Sequence, residues 1–373
     1  MNVRMDWRRA SVIVATMALA GLTGPGSVHG AHADATIPAQ AAEAAAQGAT
    51  IDAEGALHLP ARTIPVPTTI SPEAQKALAS PQPEPPAPPV ADKSAWHHAI
   101  AEYDAQLAEH AQAARDAFTG KIDARELGGV RVYELRPDSI PARNNNRVIL
   151  YLHPGGYVFG ARQAGLAGAI ALANAGPFRV FSIDYRTAPD HPYPAALDDV
   201  VTVYRETIKR YQATSIGIVG VASGGGLAAS TVLKLRDAGL PLPGALALLS
   251  PEADLTEAGD TFQTNRDIDV VLRHSIPETV ALYAGGNDLR DPHLSPVYGD
   301  FAKGYCPTFL QSGTRDLLLS DTVRLHRALR HAGVEAELHV FEAMPHIGFS
   351  GAPEDEELRA EEVRFLDKHL GRY

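Results

Sequence analysis

Residues 217–229 read GIVGVASGGGLAA. An apolar run, Ile216 to Val219, leads into a glycine cluster, and Ser223 stands just ahead of Gly224, Gly225 and Gly226. A short apolar run bounded by glycine reads as a buried strand, and 224–238 has the apolar spacing of a helix. A strand that turns sharply into a helix lifts the side chain at the turn to the helix N-terminus. The stretch falls one residue short of the pattern G-x-S-x-G, because Val221 stands two before Ser223. Two readings are open: Ser223 is a nucleophile, or a glycine turn happens to contain a serine.

The flanking sequence has a regular rhythm. Apolar strand segments are expected at 130–136, 147–152, 179–184, 216–221, 244–249, 307–311 and 336–342. Amphipathic helices are expected near 162–175, 195–210, 224–238, 320–332 and 354–369. Continuous apolar strands alternating with helices predict an α/β fold, a mostly parallel sheet with helices on both faces. In such sheets reactive groups gather at the carboxyl ends of the strands.

Three further stretches sit at such ends. HPGGYVFG, 153–160, carries Gly155 and Gly156, whose amides can point at a developing oxyanion; a plain tight turn is the alternative. FLQSGTRDLLLSD, 309–321, carries Asp316, which can orient a histidine or simply end a turn. FEAMPHIGF, 341–349, carries His346. The chain order Ser223, Asp316, His346 is one of the recurring orders of a serine–histidine–acid triad. A strand-to-helix turn also offers the amide after its apex, read here as that of Gly224.

The first part of the chain reads differently. Residues 1–33 open with Arg4, Arg8 and Arg9, continue as an apolar run and end in small residues. That is the layout of an export signal, which predicts a periplasmic or secreted protein and a flexible leader over 34–70. Removing 1–33 takes away three Arg and one Asp and moves the net charge from −11 to −13. An acidic surface argues against nucleic acid, and no later segment is long and apolar enough for a membrane span. Cys306 is the only cysteine, so no intrachain disulfide and no cysteine metal site is expected. There is no HExxH, and neither a metal nor another cofactor is expected. The number of copies in the assembly is open.

Between the leader and the sheet, PQPEPPAPP at 81–89 is an extended spacer. Residues 94–118 form a helix in which Trp96, Ile100, Tyr103, Leu107, Ala111, Ala114 and Phe118 recur at steps of three and four, with Ser94 placed to cap it.

With these stretches in hand, 128–370 resembles the bacterial hormone-sensitive-lipase-like esterases of the α/β-hydrolase fold. The matching segments are YLHPGGYVFG, DYRTAPDHPYPAALDDV, VASGGG, LLSPEADL, SGTRDLLLSD and PHIGF. IPVPTTISPEAQ at 64–75 also resembles the leader of monoterpene lactone hydrolases. The resemblance implies a catalytic domain over 128–373 and a helical cap over 71–127. It implies a triad of Ser223, Asp316 and His346 and an oxyanion hole of Gly155, Gly156 and Gly224. It also implies a pocket walled by Trp96, Ile100, Tyr103, Leu107 and Tyr157. The implied activity is hydrolysis of small to medium uncharged esters or lactones through an acyl-enzyme. The alternative is a catalytically weak relative that binds an apolar ligand in the same pocket. Val221 in place of the family glycine, Pro154 in place of another, and the extra Ile347 after His346 are the departures.

Overall fold

The computed structural model describes residues 48–82 and 87–371. The export signal at 1–33 and the start of the leader lie outside the described residues, as does the middle of the proline-rich spacer. The chain divides at Pro67 into two units. In the described part of the first, a small hairpin joins β1 (Thr50–Ile51) to β2 (Leu57–His58). The Asp52 carboxylate holds its turn, accepting from the amide of Ala56 at 2.7 Å and meeting His58 Nε2 at 2.8 Å.

The second unit is built on eight strands: β3 (Gly120–Leu127), β4 (Val130–Pro137), β5 (Val148–Leu152), β6 (Arg179–Ile183), β7 (Ile216–Val221), β8 (Ala245–Leu249), β9 (Thr308–Gly313) and β10 (Ala336–Phe341). Their spatial order is β10-β9-β8-β7-β5-β6-β4-β3. β3–β4 and β4–β6 pair antiparallel, and the remaining pairs are parallel. Every residue of β5, β7 and β8 is buried, as strands covered on both faces require. This is the expected mostly parallel α/β-hydrolase sheet.

The helices are α1 (Pro72–Leu78), α2 (Lys93–Ala117), α3 (Leu166–Ala175), α4 (Ala195–Thr207), α5 (Ser223–Asp237), α6 (Thr261–Thr264), α7 (Pro277–Ala284), α8 (Leu319–His331) and α9 (Pro353–His369). Two large cores result. Side chains of β5, β7 and β8 alternate between them: Leu150, Ile218 and Leu246 lie with α4 and α5 on one face, while Ile149, Val219 and Ala245 lie with α3 and α9 on the other.

The sheet begins earlier than expected. β3 lies inside the segment assigned to the cap, and as an edge strand it is largely exposed and shows no apolar run. The expected cap of α2 also moves: the Asp92 carboxylate, not Ser94, accepts the Ala95 amide at 2.9 Å. The acidic start of α9 has a structural task. Glu354 receives both the amide and the hydroxyl of Ser71, tying α9 to the N-terminus of α1.

Candidate active site

The turn between β7 and α5 corrects the sequence reading. Its apex is Ala222, at φ 52° and ψ −120°, and Ser223 is the first residue of the helix. A non-glycine residue there is strained and persists only when its surroundings hold it. Here they do: the Ala222 amide donates to Leu249 at 2.9 Å, and its carbonyl accepts from Gly225 (2.8 Å), Glu252 (3.0 Å) and Gly226 (3.1 Å). The glycines fit an apex at 222. A Cβ at Gly220 would land on the Gly224 carbonyl, and one at Gly224 on the carbonyls of Leu152 and His153. The motif is therefore Gly220-Val221-Ala222-Ser223-Gly224, with alanine where the expected pattern has a nucleophile. Val221 ends the strand and packs in the core.

Ser223 is not placed as a nucleophile. Its side chain has no exposed surface, whereas Ala222 keeps 6 %. Among the described residues its Oγ makes no hydrogen bond of ordinary geometry, to His346 or any other group. The hydroxyl faces Tyr185, whose phenol burial pushes well up and the serine draws partly back.

Asp316 and His346 do meet. Asp316 follows β9, His346 follows β10, and the imidazole Nδ1 lies 3.1 Å from Asp316 Oδ1. The Asp316 carboxylate also accepts the Ser312 hydroxyl at 2.6 Å and the Leu318 amide at 2.9 Å. Burial opposes the charge on both partners. Their mutual attraction outweighs it, holding Asp316 below the ordinary carboxylate range and His346 above the ordinary histidine value. The extra Ile347 is absorbed without disturbing this pair. It takes φ 57°, turns outward and donates its amide to Ser250 Oγ at 3.2 Å, while Phe349 is buried.

A second carboxylate, unmarked in the sequence, organises both loops. Asp269 is fully buried. It accepts amides from His346 (3.1 Å), Leu317 (2.9 Å), Val271 (2.9 Å) and Leu272 (3.1 Å). One side chain thus fixes the backbone beside both Asp316 and His346.

The oxyanion loop follows β5. Gly155 and Gly156 take φ 129° and 58°. Among the described residues the amides of Gly155, Gly156, Ser223 and Gly224 donate to no acceptor. With the apex at Ala222, the amide next to it is that of Ser223, so the expected third donor moves one residue upstream from Gly224. Behind the loop, the Tyr185 hydroxyl donates to the His153 carbonyl at 2.7 Å, and the two rings stack at 4.2 Å. Burial lowers the His153 pKa, so the ring serves as a neutral packing group.

The expected pocket residues divide. Trp96 is fully buried against Val158, Ala188 and Leu282, so it supports the loop rather than lining an open wall. Tyr157 is equally buried, with its ring stacked on Tyr283 at 3.7 Å. Ile100 packs on the same cluster as Trp96, Leu107 is half-buried, and Tyr103 meets the Phe159 edge at 5.1 Å while remaining exposed. The firm link from α2 is polar: the Asp104 carboxylate accepts the Gly160 amide at 2.7 Å. Elsewhere, Glu335, Glu337 and His369 lie close enough to share a cation. Lys368 Nζ already bridges the two carboxylates, at 2.9 and 2.7 Å.

Residues 149–350 match the alpha/beta hydrolase fold family. An acetyl-hydrolase of Streptomyces hygroscopicus is 34 % identical over 56 % of this chain and 70 % of its own. An esterase of Acinetobacter venetianus is 28 % identical over 61 % of this chain and 74 % of its own. The crystal structure of one esterase superposes with a TM-score of 0.78 at 36 % identity, over 84 % of this chain and 98 % of that one. An esterase of the bacterial hormone-sensitive lipase family gives 0.69 at 30 % identity, over 81 % and 99 %. Among the described residues no helix is long and apolar enough to cross a membrane.

Proposed function

This chain belongs to the alpha/beta hydrolase fold family, and from that premise we propose that it binds small to medium carboxylic esters or lactones and hydrolyses them with water as the direct nucleophile. The observation that carries this reading is alanine at the apex of the turn, beside an intact histidine–aspartate pair and free amides. The ester carbonyl oxygen takes the amides of Gly155, Gly156 and Ser223. Water occupies the space above the Ala222 methyl. His346 Nε2 removes a proton from that water as its oxygen attacks the carbonyl carbon. The amides hold the tetrahedral oxyanion, Asp316 stabilises the imidazolium, and His346 returns the proton to the departing alkoxide. The ester C–O bond breaks, and acid and alcohol leave without an acyl-enzyme.

Such turnover is slow. Removing the nucleophile of a serine hydrolase costs about 10⁶ in kcat, while oxyanion stabilisation and binding alone retain about 10³–10⁴ over water. The same methyl favours a second reading, in which the ester is a ligand held in the site and barely turned over.

A fluorophosphonate probe with the Ser223→Ala variant tests the proposal. The protein is expected to resist labelling, and Ser223→Ala, which keeps its amide, to retain turnover. Labelling of Ser223 together with loss of activity in the variant would restore an acyl-enzyme at that residue. Export is a separate proposal resting on residues 1–33 and is tested by fractionation of expressing cells.

A further inference from the structure

We propose that Glu252 makes the ester site selective for ligands that carry a cationic group. This rests on the reading above, in which the site takes an ester at the amides of the turn. Glu252 lies on the loop after β8, and its amide donates to the carbonyl of the apex residue Ala222 at 3.0 Å. Its own carbonyl closes on the helix start, where a Cβ at Gly226 would strike it. The backbone of Glu252 is therefore clamped against the turn.

The side chain is half-buried. Among the described residues its carboxylate enters no hydrogen bond and no ion pair. A buried carboxylate without a partner is costly to ionise, and burial pushes this one up to about 7, with His346 drawing it down and Glu257 adding to the rise. The same charge reaches the phenols of Tyr157, Tyr185 and Tyr283, the carboxyl of Asp321 and the imidazole of His346. The backbone clamp at Ala222 sets this side chain on the loop beside the turn.

Its surroundings leave the charge unbalanced. Glu257 and Asp321 are acids, and Arg324, which acts on Asp321, is engaged by Asp254. Among the described residues His346 is the one group acting on Glu252 that can oppose its charge, and the mechanism needs that imidazole neutral. An ammonium on the bound ester supplies the missing partner, whereas an anionic ester meets uncompensated repulsion. Specificity of this kind comes as much from the rejected ligand as from the favoured one.

An isosteric pair tests this: acetylcholine against 3,3-dimethylbutyl acetate, which replaces the ammonium nitrogen with carbon. Calorimetric titration at pH 8.5 is expected to show the cationic ester binding about tenfold more tightly, the scale of one partly screened charge pair. Glu252→Gln should bring the two affinities within about twofold of one another. The variant also changes the imidazole's surroundings, but that acts on both esters alike and cancels in the ratio. Equal binding of the two esters by the unmodified protein overturns the inference even if the variant does not fold, and so does an undiminished preference in a folded Glu252→Gln. Failure of both esters to bind overturns the site reading along with it.

Discussion

Replacing Ala222 with serine should turn this site into a conventional serine esterase. The substitution adds one oxygen to a residue that keeps 6 % of its surface and sits at φ 52°, ψ −120°. Such strain costs about 1–3 kcal/mol, and the alanine protein already bears it, so the new side chain adds no backbone cost. The amides of Gly155, Gly156 and Ser223 donate to nothing among the described residues, and His346 is aligned by Asp316 at 3.1 Å. The loss of a catalytic serine costs about 10⁶ in kcat, or about 8 kcal/mol at 1.36 kcal/mol per decade. Recovering half of that is a gain of about 10³. The assay is hydrolysis of p-nitrophenyl butyrate, with a burst equal to the enzyme concentration and a butyryl adduct on the peptide containing residue 222. His346→Ala in the serine background should abolish the gain. A folded Ala222→Ser protein with less than a tenfold gain, or an adduct on Ser223 instead, would refute the placement of the apex.

Four further outcomes are expected. Because the net effect of Asp316, Asp269 and Glu252 holds His346 above its ordinary value, and the neutral ring is the base, kcat/KM should rise with pH through an apparent pKa above 6.5; a profile falling over that range contradicts the role. Asp269→Asn leaves one acceptor oxygen and turns an amide toward two N–H donors, so it should cost about 2–5 kcal/mol in urea unfolding and depress turnover more than substrate binding. Asp104→Ala strands the buried Gly160 amide and should cost about 1–3 kcal/mol, lowering the melting temperature by several degrees; an unchanged melt would show that the bond contributes nothing. Gly224→Ala drives a Cβ into the carbonyls of Leu152 and His153 and should reduce the yield of folded protein sharply, whereas Gly239→Ala, with nothing within 4 Å, should be strained only by its φ of 66°.

The parallel core was legible because strands buried on both faces leave continuous apolar runs. β3 was not, because an exposed edge strand carries no such run. α7 was missed for a related reason: it is eight residues long, opens on Pro277 and closes on Gly285 in the left-handed region, so punctuation outweighs its short pattern. Asp316 and His346 could be read because their order and strand-end positions constrain them. Asp269 and Asp104 act through backbone amides far away in sequence, and a lone aspartate on a loop or a polar helix face carries no trace of that.

The turn itself failed on register. Two five-residue windows compete, Gly220 to Gly224 and Val221 to Gly225, and a search for a hydroxyl selects the second because only it centres on serine. Backbone crowding selects the first. Successive side chains of a strand point to opposite faces. The position that must lack a Cβ is the one facing the Gly224 carbonyl, and that is Gly220, while Val221 points into the apolar core. In the second window Val221 departs from the expected pattern. It is instead an ordinary core residue one place out of register. The strained apex is held by three amides at its carbonyl and one carbonyl at its amide, none of which depends on the side chain of residue 222. The geometry of a nucleophile is therefore maintained without the nucleophile, which is why a single oxygen at position 222 is expected to suffice.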